Sequence, residues 1–526
     1  MPLSLRALSL AASIAATLAM ITPVRAAETA GIDRAAGREA SVLGVDIKGV
    51  ARPGLTMTQL TPYRVYQRST MAGGAGGKGS GAISIPIRLQ AAAALIECRL
   101  RDALAPGAPV LRDWVLAAAD VPASASSAAC PEVPADQKQY FVDLRADGDD
   151  AAVQLGTSPV MMGRVIVHWG QSQANQFVTA AGTPPVRAPA SSAVLRHGKW
   201  SAIPSNSLGL NPFLYMEGLA HGVAVGIVAT AVDNSVVASW LPATGTNFPA
   251  LAAAVDMAGG FEAMDTYIGG SDLGVGTAPD AFAAMKRTVI RDLQDRHNPL
   301  HGRNTELVLS ATTVRRANDR NHAGPVEAQQ AAERKLAAEL GGAYYEGWDI
   351  AMMAGDSVHH DATGNPAYGF GLSRAFTALR SRGVIAAGPT IRAATMSGAA
   401  ITLAVDMPPD SGSLVLTGNP AARFTAYPAG TTTTPLQIAS VQAGRNNIVL
   451  TLAAAPKGDV DIWLHRYPDP GPALAADVIR DSYTADGAPY GRLVEPTVGA
   501  PVTADNPVQA VVAAVAVPSE KLIARP

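Results

Sequence analysis

The chain has 526 residues, with 41 Lys plus Arg against 43 Asp plus Glu and a formal net charge of −2. At roughly 100–200 residues per domain this length implies several domains, and a hydrophobic content of 48% can fill sizeable cores. Charged residues make up only 16%. That leaves no basic field for nucleic acid or anionic lipid, and the composition excludes a collagen, a coiled coil and a polytopic membrane protein.

The first 26 residues are organised as an export signal. Arg6 supplies positive charge, residues 7–21 are apolar, Pro23 interrupts them, and Val24-Arg25-Ala26 precedes a cut before Ala27. The mature chain is therefore expected to be secreted or periplasmic, with no integral membrane segment. The later apolar run 508–517 is too short to span a bilayer and suits a buried strand.

Residues 40–158 read as a small N-terminal β domain. Ile83, Ile85, Ile87 and Leu89 alternate as a half-buried strand requires, and 95–100, 110–116 and 139–144 are further strand candidates. The two cysteines of the chain, Cys98 and Cys130, fall here. In an exported protein they form either one disulfide or two buried thiols, and their spacing does not make a zinc site.

From residue 159 to 384 the pattern changes. Strands at 164–167, 223–230 and 305–310 alternate with helices at 278–296, 325–340 and 366–382. Phe282, Met285, Val289, Ile290 and Leu293 share one face of the first of these helices. This alternation predicts an α/β body, a parallel sheet covered by helices on both faces. Residues 385–489 return to short strands (400–405, 413–416, 447–452, 460–464) between Gly, Pro, Asn and Asp turns, the pattern of a β-sandwich. Residues 490–526 form a tail with few signals of a packed core.

Two clusters carry chemistry. Gly170-Gln171-Ser172 follows the first strand of the α/β body, at the carboxyl edge where open α/β sheets bind ligands. A glycine there permits a tight turn that exposes the hydroxyl and frees nearby N–H groups for an oxyanion. The run is not the G-x-S-x-G elbow, because position 174 is Ala. Asp356-Ser357-Val358-His359 precedes the last helix of the body. Serine needs an imidazole to take its proton, and the imidazole needs a carboxylate to orient it. The expected triad is Ser172, His359 and Asp356, with His360 pointing elsewhere.

These motifs resemble those of the SGNH (GDSL-type) hydrolases, in particular the carbohydrate O-acetylesterase branch of sialate O-acetylesterases and acetylxylan esterases. Gly170-Gln171-Ser172 is similar to that branch's Gly-Gln-Ser-Asn, and Asp356 to His359 is similar to its Asp-x-x-His. Asp233-Asn234-Ser235, followed by Trp240, stands where the branch has Gly-Gly-Thr/Ser and then Trp. Gly269-Gly270-Ser271-Asp272 stands where it has Gln-Gly-Glu-Ser-Asp/Asn. The likeness spans about residues 160–382 and implies an SGNH, flavodoxin-like three-layer core between two small β domains.

By this resemblance the oxyanion and substrate contacts fall to Ser172, Gln171, Asn234, Ser235, Gly269 and Asp272. The chain departs from the pattern at Gln173, where Asn is usual, at Asp233-Asn234 and at Gly270. Asn tolerates positive φ, so Asn234 preserves the turn. A carboxylate at Asp272 repels an oxyanion unless it is protonated or directed elsewhere.

The mechanism implied is two-step acyl transfer on an acetylated carbohydrate, without metal or organic cofactor. Two rival readings keep the same fold: a catalytically silent carbohydrate-binding surface protein, and a carbohydrate O-acetyltransferase. His297 and His301 read as surface histidines, and the polar loop 318–322 as a solvated turn. Trp240 and Trp169 either line the pocket or fill the core.

Overall fold

The computed structural model describes residues 53–69, 78–310, 323–345, 359–360, 362, 364–382, 390–407, 412–431 and 433–465, with short strand segments between 478 and 524. The expected signal segment, Asp356 and the 318–322 loop lie outside the described residues. No described helix is long and apolar enough to cross a membrane.

The centre is a three-layer α/β structure. Its sheet strands are β1 (Val65–Gln67), β2 (Met161–Gly170), β3 (Ser192–Arg196), β4 (Lys199–Ala202), β5 (Ala224–Ala231), β6 (Ala263–Tyr267), β7 (Glu306–Ser310) and β8 (Ala343–Tyr345). They lie in the order β4-β3-β5-β2-β6-β7-β8, with β1 beside the start of β2. All pairs are parallel except the β3–β4 hairpin. Every residue of β2 is buried, as a central parallel strand covered on both faces requires.

Counting only β2, β5, β6, β7 and β8, the order is the flavodoxin-like one. The chain leaves β2 toward the β5 side of the sheet and leaves β6 toward the β7 side, so the loops that follow the neighbouring strands β2 and β6 diverge at a switch point.

Among the described residues seven helices belong to this body: α1 (Ser172–Thr179), α2 (Leu210–His221), α3 (Phe248–Ala258), α4 (Gly270–Gly274), α5 (Pro279–Arg296), α6 (Ala323–Leu340) and α7 (Gly364–Arg382). One face of the sheet packs Phe177, Phe213, Leu214, Tyr368 and Phe376 from α1, α2 and α7. The other packs Leu251, Phe282, Ile290, Leu293 and Leu336 from α3, α5 and α6. Burying such a side chain stabilises by about 1.5–3 kcal/mol each, which holds short helices like α1 that would not persist alone.

The amino ends of the strands are locked by charge. Arg164 of β2, 1% exposed, meets Glu217 of α2 at 3.2 Å, Glu306 at 2.6 Å and Glu262 at 3.8 Å. Arg68 pairs with Glu262 at 2.6 Å and Arg380 of α7 with Glu306 at 2.8 Å. Burial pushes the Glu217 carboxyl up, but the Arg164 guanidinium, His221 and Arg380 together outweigh this and hold it down at about 2. Removing one member would strand an uncompensated buried charge, so the cluster fixes helix to sheet by mutual dependence.

In front of this body, Ser80–Arg88 pairs with Ser127–Pro134 and with Thr56–Met57, while Ala93–Asp102 pairs with Val110–Val121 and Tyr140–Ala146. Ile83, Ile85 and Ile87 point inward in strict alternation. Val65–Gln67, although from this stretch of sequence, joins the central sheet instead. Behind the body, Ile391, Ile401, Leu403, Phe424, Leu450 and Ile462 share one core between two further sheets. Ser519–Ala524, in the tail where the sequence shows little core signal, pairs antiparallel with Val460–His465. That pairing is made by backbone hydrogen bonds, which need no apolar pattern.

Cys98 and Cys130 form a disulfide with their Cα atoms 5.7 Å apart, so of the two sequence readings the bridge is the one adopted. It joins Ala93–Asp102 to Ser127–Pro134, and thus the two front sheets to each other. The bond closes a loop with a sequence separation of 32. On chain-entropy grounds the double variant Cys98→Ala/Cys130→Ala should lose about 3–4 kcal/mol, read as the loss in urea-unfolding free energy. Thiol labelling of the denatured wild type should be nil until reductant is added.

Candidate active site

Ser172 opens α1 directly beyond β2, and the turn that carries it is shaped by Gly170. A Cβ at that position would sit 2.0 Å from the Tyr267 carbonyl oxygen on β6. Only a residue without a side chain allows so close an approach. The Gln171 N–H donates to that same carbonyl at 3.0 Å, and the Val232 N–H donates to the Gly170 carbonyl at 3.0 Å. The Ser172 turn is thereby pinned between the loops that follow β5 and β6.

The Gln171 side chain, 4% exposed, completes the pinning. Its Oε1 accepts from the Gly269 N–H at 2.9 Å and the Ser271 N–H at 3.3 Å, and its Nε2 donates to Gln173 Oε1 at 2.7 Å. The Gly269 carbonyl accepts from Gln329 of α6 at 3.0 Å. Gly269 has φ +137°, backbone that side chains disfavour. Gln171 and Gly269 thus work as a clasp between loops.

The Ser172 hydroxyl donates to Gln173 Oε1 at 3.3 Å. Its own N–H, at the first position of α1, has no intrahelical acceptor, and it sits at the positive end of that helix, where a developing negative charge is favoured. Asn234 has φ +58°, the left-handed turn its side chain tolerates. Its neighbour Asp233 accepts from Asn175 Nδ2 of α1 at 3.0 Å, and Asn175 Oδ1 accepts from Arg196 at 2.8 Å. Ser235 is buried, its hydroxyl accepting from Trp240 Nε1 at 3.1 Å.

Asp272 answers the question its charge poses. It is fully buried, and both carboxyl oxygens accept from the Val237 N–H at 3.2 and 3.0 Å, with the Thr277 hydroxyl adding a bond at 3.3 Å. The group faces the loop after β5, and burial pushes it up to about 6. It binds one rim loop to another.

His359 is half-buried and directly precedes His360, which is 3% exposed. His360 turns inward, as expected. Its Nε2 meets the Tyr267 hydroxyl at 3.1 Å, and its carbonyl accepts from Asn365 Nδ2 of α7 at 3.0 Å. Burial, with His359 adjacent, pushes the His360 imidazole down to about 4, so it is neutral at ordinary pH. Because Tyr267 also bonds Gln171, the histidine segment and the Ser172 turn are anchored on one residue of β6. Sequence patterning did not single out Tyr267; its place at the end of a strand just before Gly269-Gly270 is the signal that marks it.

Trp240 and Trp169 are both fully buried, their rings 5.3 Å apart; they fill the core. His297 pairs with Asp256 at 2.8 Å, whereas His301 meets Gln67 at 3.2 Å and the Arg68 carbonyl at 3.1 Å. Among the described residues no cluster of three or more His, Cys, Asp or Glu side chains is arranged to hold a metal ion.

No protein-family model matches the chain, and no curated protein does. Among solved structures it is similar to a carbohydrate acetylesterase from Xanthomonas citri, at 14% identity and a TM-score of 0.49, covering 84% of this chain and 99% of that one. It is also similar to an Arabidopsis thaliana protein, at 12% identity and a TM-score of 0.32, covering 41% of this chain and 98% of that one. A psychrotrophic esterase from Pseudoalteromonas shares 9% identity at a TM-score of 0.28, covering 42% of this chain and 100% of that one. The chemistry is read instead from this chain's own residues.

The raised Asp272 carboxyl has a consequence for stability. An unfolded Asp titrates near 3.9, so between that pH and about 6 the folded state holds more protons. This contribution is full below pH 4 and is lost as pH rises through 6. Asp272→Asn keeps an acceptor for Val237 and cannot titrate. Relative to wild type it should gain on the order of 2–3 kcal/mol between pH 4 and pH 7, measured by urea unfolding at both values. An offset that does not change with pH would show that Asp272 does not titrate in this window.

Proposed function

We propose that the protein is a serine esterase of SGNH type, exported to the periplasm or beyond, that removes O-acetyl groups from a carbohydrate. The observation that carries the reading is the position of Ser172. It starts a helix at the carboxyl end of the central strand, at the switch point of the sheet, and the segment that carries His359 is tied through His360 to Tyr267, the residue of β6 that the Gln171 N–H also bonds. The sequence motifs Gly170-Gln171-Ser172 and Asp356-x-x-His359 support the same reading.

His359 takes the Ser172 proton as the oxygen attacks the acetyl carbonyl; Asp356 orients the imidazole and stabilises its charged form. The tetrahedral oxyanion is met by the Ser172 N–H and the Asn234 N–H, each such donor being worth about 3–4 kcal/mol in the transition state. His359 then returns the proton to the departing sugar hydroxyl. Water, activated by the same imidazole, hydrolyses the acetyl-enzyme.

The Gly269 N–H and the Ser235 N–H both donate within the protein, to Gln171 Oε1 and to the Val232 carbonyl, so the oxyanion donors here are fewer than the motif resemblance implies. That observation favours, as second reading, a silent carbohydrate-binding protein on the same fold.

The test is hydrolysis of p-nitrophenyl acetate by wild type, Ser172→Ala and Asp356→Asn. Ser172→Ala is expected to lose activity by at least 10³-fold and Asp356→Asn by up to about 10⁴-fold, both with an unchanged circular dichroism spectrum. Equal rates for wild type and Ser172→Ala would overturn the esterase reading, and glycan binding without turnover would establish the second one. Acetyl transfer to added glycan in excess of release to water would identify a transferase.

A further inference from the structure

We propose that Tyr267 and His360 act together as positioning residues for the His359 imidazole, tying the base-bearing segment to the strand against which the Ser172 turn is built. The inference rests on the serine-esterase reading above. Tyr267 is held at both ends. Its carbonyl accepts the Gln171 N–H at 3.0 Å, which sets the distance from β6 to the nucleophile turn. Its hydroxyl meets His360 Nε2 at 3.1 Å, which sets the distance from β6 to the histidine segment. With the His360 ring and carbonyl both anchored, its Cα is held in place, and the planar peptide keeps the His359 Cα at a fixed spacing from it. The freedom left to His359 is that of the backbone torsions on either side of this peptide and of its own side chain.

The Tyr267 ring is itself immobilised. It stacks on Tyr368 of α7 with centroids 5.1 Å apart and planes 17° from parallel. The Tyr368 hydroxyl bonds Ser310 Oγ at 2.6 Å and Asp265 at 3.3 Å. Asp265 also accepts from Ser310 at 2.8 Å and meets His168 Nδ1 at 2.8 Å, and His168 Nε2 lies 3.2 Å from the Ala174 carbonyl of α1. A run of buried polar groups, none more than 3% exposed, thus leads from the histidine segment through Tyr267 and Tyr368 to the helix that Ser172 opens. A misplacement of about 1 Å at a reacting pair can cost 10²-fold in rate, and this run is built to prevent it.

The experiment compares the full chain as wild type, Tyr267→Phe, His360→Phe and the double variant, with p-nitrophenyl acetate as substrate. Both single variants retain an aromatic ring, so the packing against Tyr368 survives. Each single variant is expected to lower kcat by 10- to 100-fold, leave KM within about twofold and shift Tm by less than about 4 °C. The double variant should be no slower than the slower single one, because both remove the same contact. Wild-type kcat in Tyr267→Phe, or losses that multiply in the double variant, would overturn the proposal.

A second readout does not depend on turnover. In protein carrying ¹³C-labelled histidine, Tyr267→Phe should move the Cε1–Hε1 resonances of both His359 and His360. Movement of His360 alone would overturn the proposal. If wild type and Ser172→Ala hydrolyse at equal rates, the esterase reading falls, and this spectrum alone decides whether His359 is positioned through Tyr267.

Discussion

The approach of the Gly170 turn to the Tyr267 carbonyl is the contact on which the rest of the rim is arranged. Gly170 and Tyr267 are the last paired residues of two neighbouring parallel strands, and their main-chain atoms meet so closely that no side chain fits at Gly170. Once that contact is made, Gln171 reaches the amides of the loop after β6, the Gly170 carbonyl reaches the loop after β5, and α1 starts at Ser172. A serine hydroxyl half-open to solvent is the outcome of that closure.

Rigidity at the rim comes from amides and carboxyls that bond within the protein. Gln171 and Asp272 both stand at motif positions that invite a role on substrate, and both instead join loop to loop. Such fixed hydrogen bonds cost entropy at folding and none at the reaction. The donors that the proposed mechanism draws on are main-chain N–H groups at a helix start and at a left-handed turn, whose positions the fold itself determines.

Large apolar side chains at regular spacing made much of the architecture legible. The Ile83-Ile85-Ile87 alternation and the Phe282 to Leu293 face emerge in the structure as a front strand and as α5. Elements whose burial is polar escaped that logic. Strand β6, Ala263–Tyr267, is wholly buried yet contains Asp265 and Thr266, and Asp265 is tolerated because His168, Ser310 and Tyr368 surround it. No local pattern announces partners so distant in sequence. β1 and the β3–β4 hairpin were too short for periodicity, and Ser127–Pro134 alternates small residues in place of large ones. At the candidate site, Ser172 and His359 are singled out by the motifs around them. Tyr267, whose role is defined by what it touches across the sheet, is not.

The Arg164 cluster lies at the strand ends furthest from Ser172. Ionic anchorage and exposed chemistry therefore occupy opposite poles of one sheet. Insertions, deletions or exchanges in the loops around the serine need not unpair any charge of the Arg164 cluster. A lineage carrying this scaffold can vary the loops at one pole while the other goes on holding the fold together, an evolvability that comes from geometry alone.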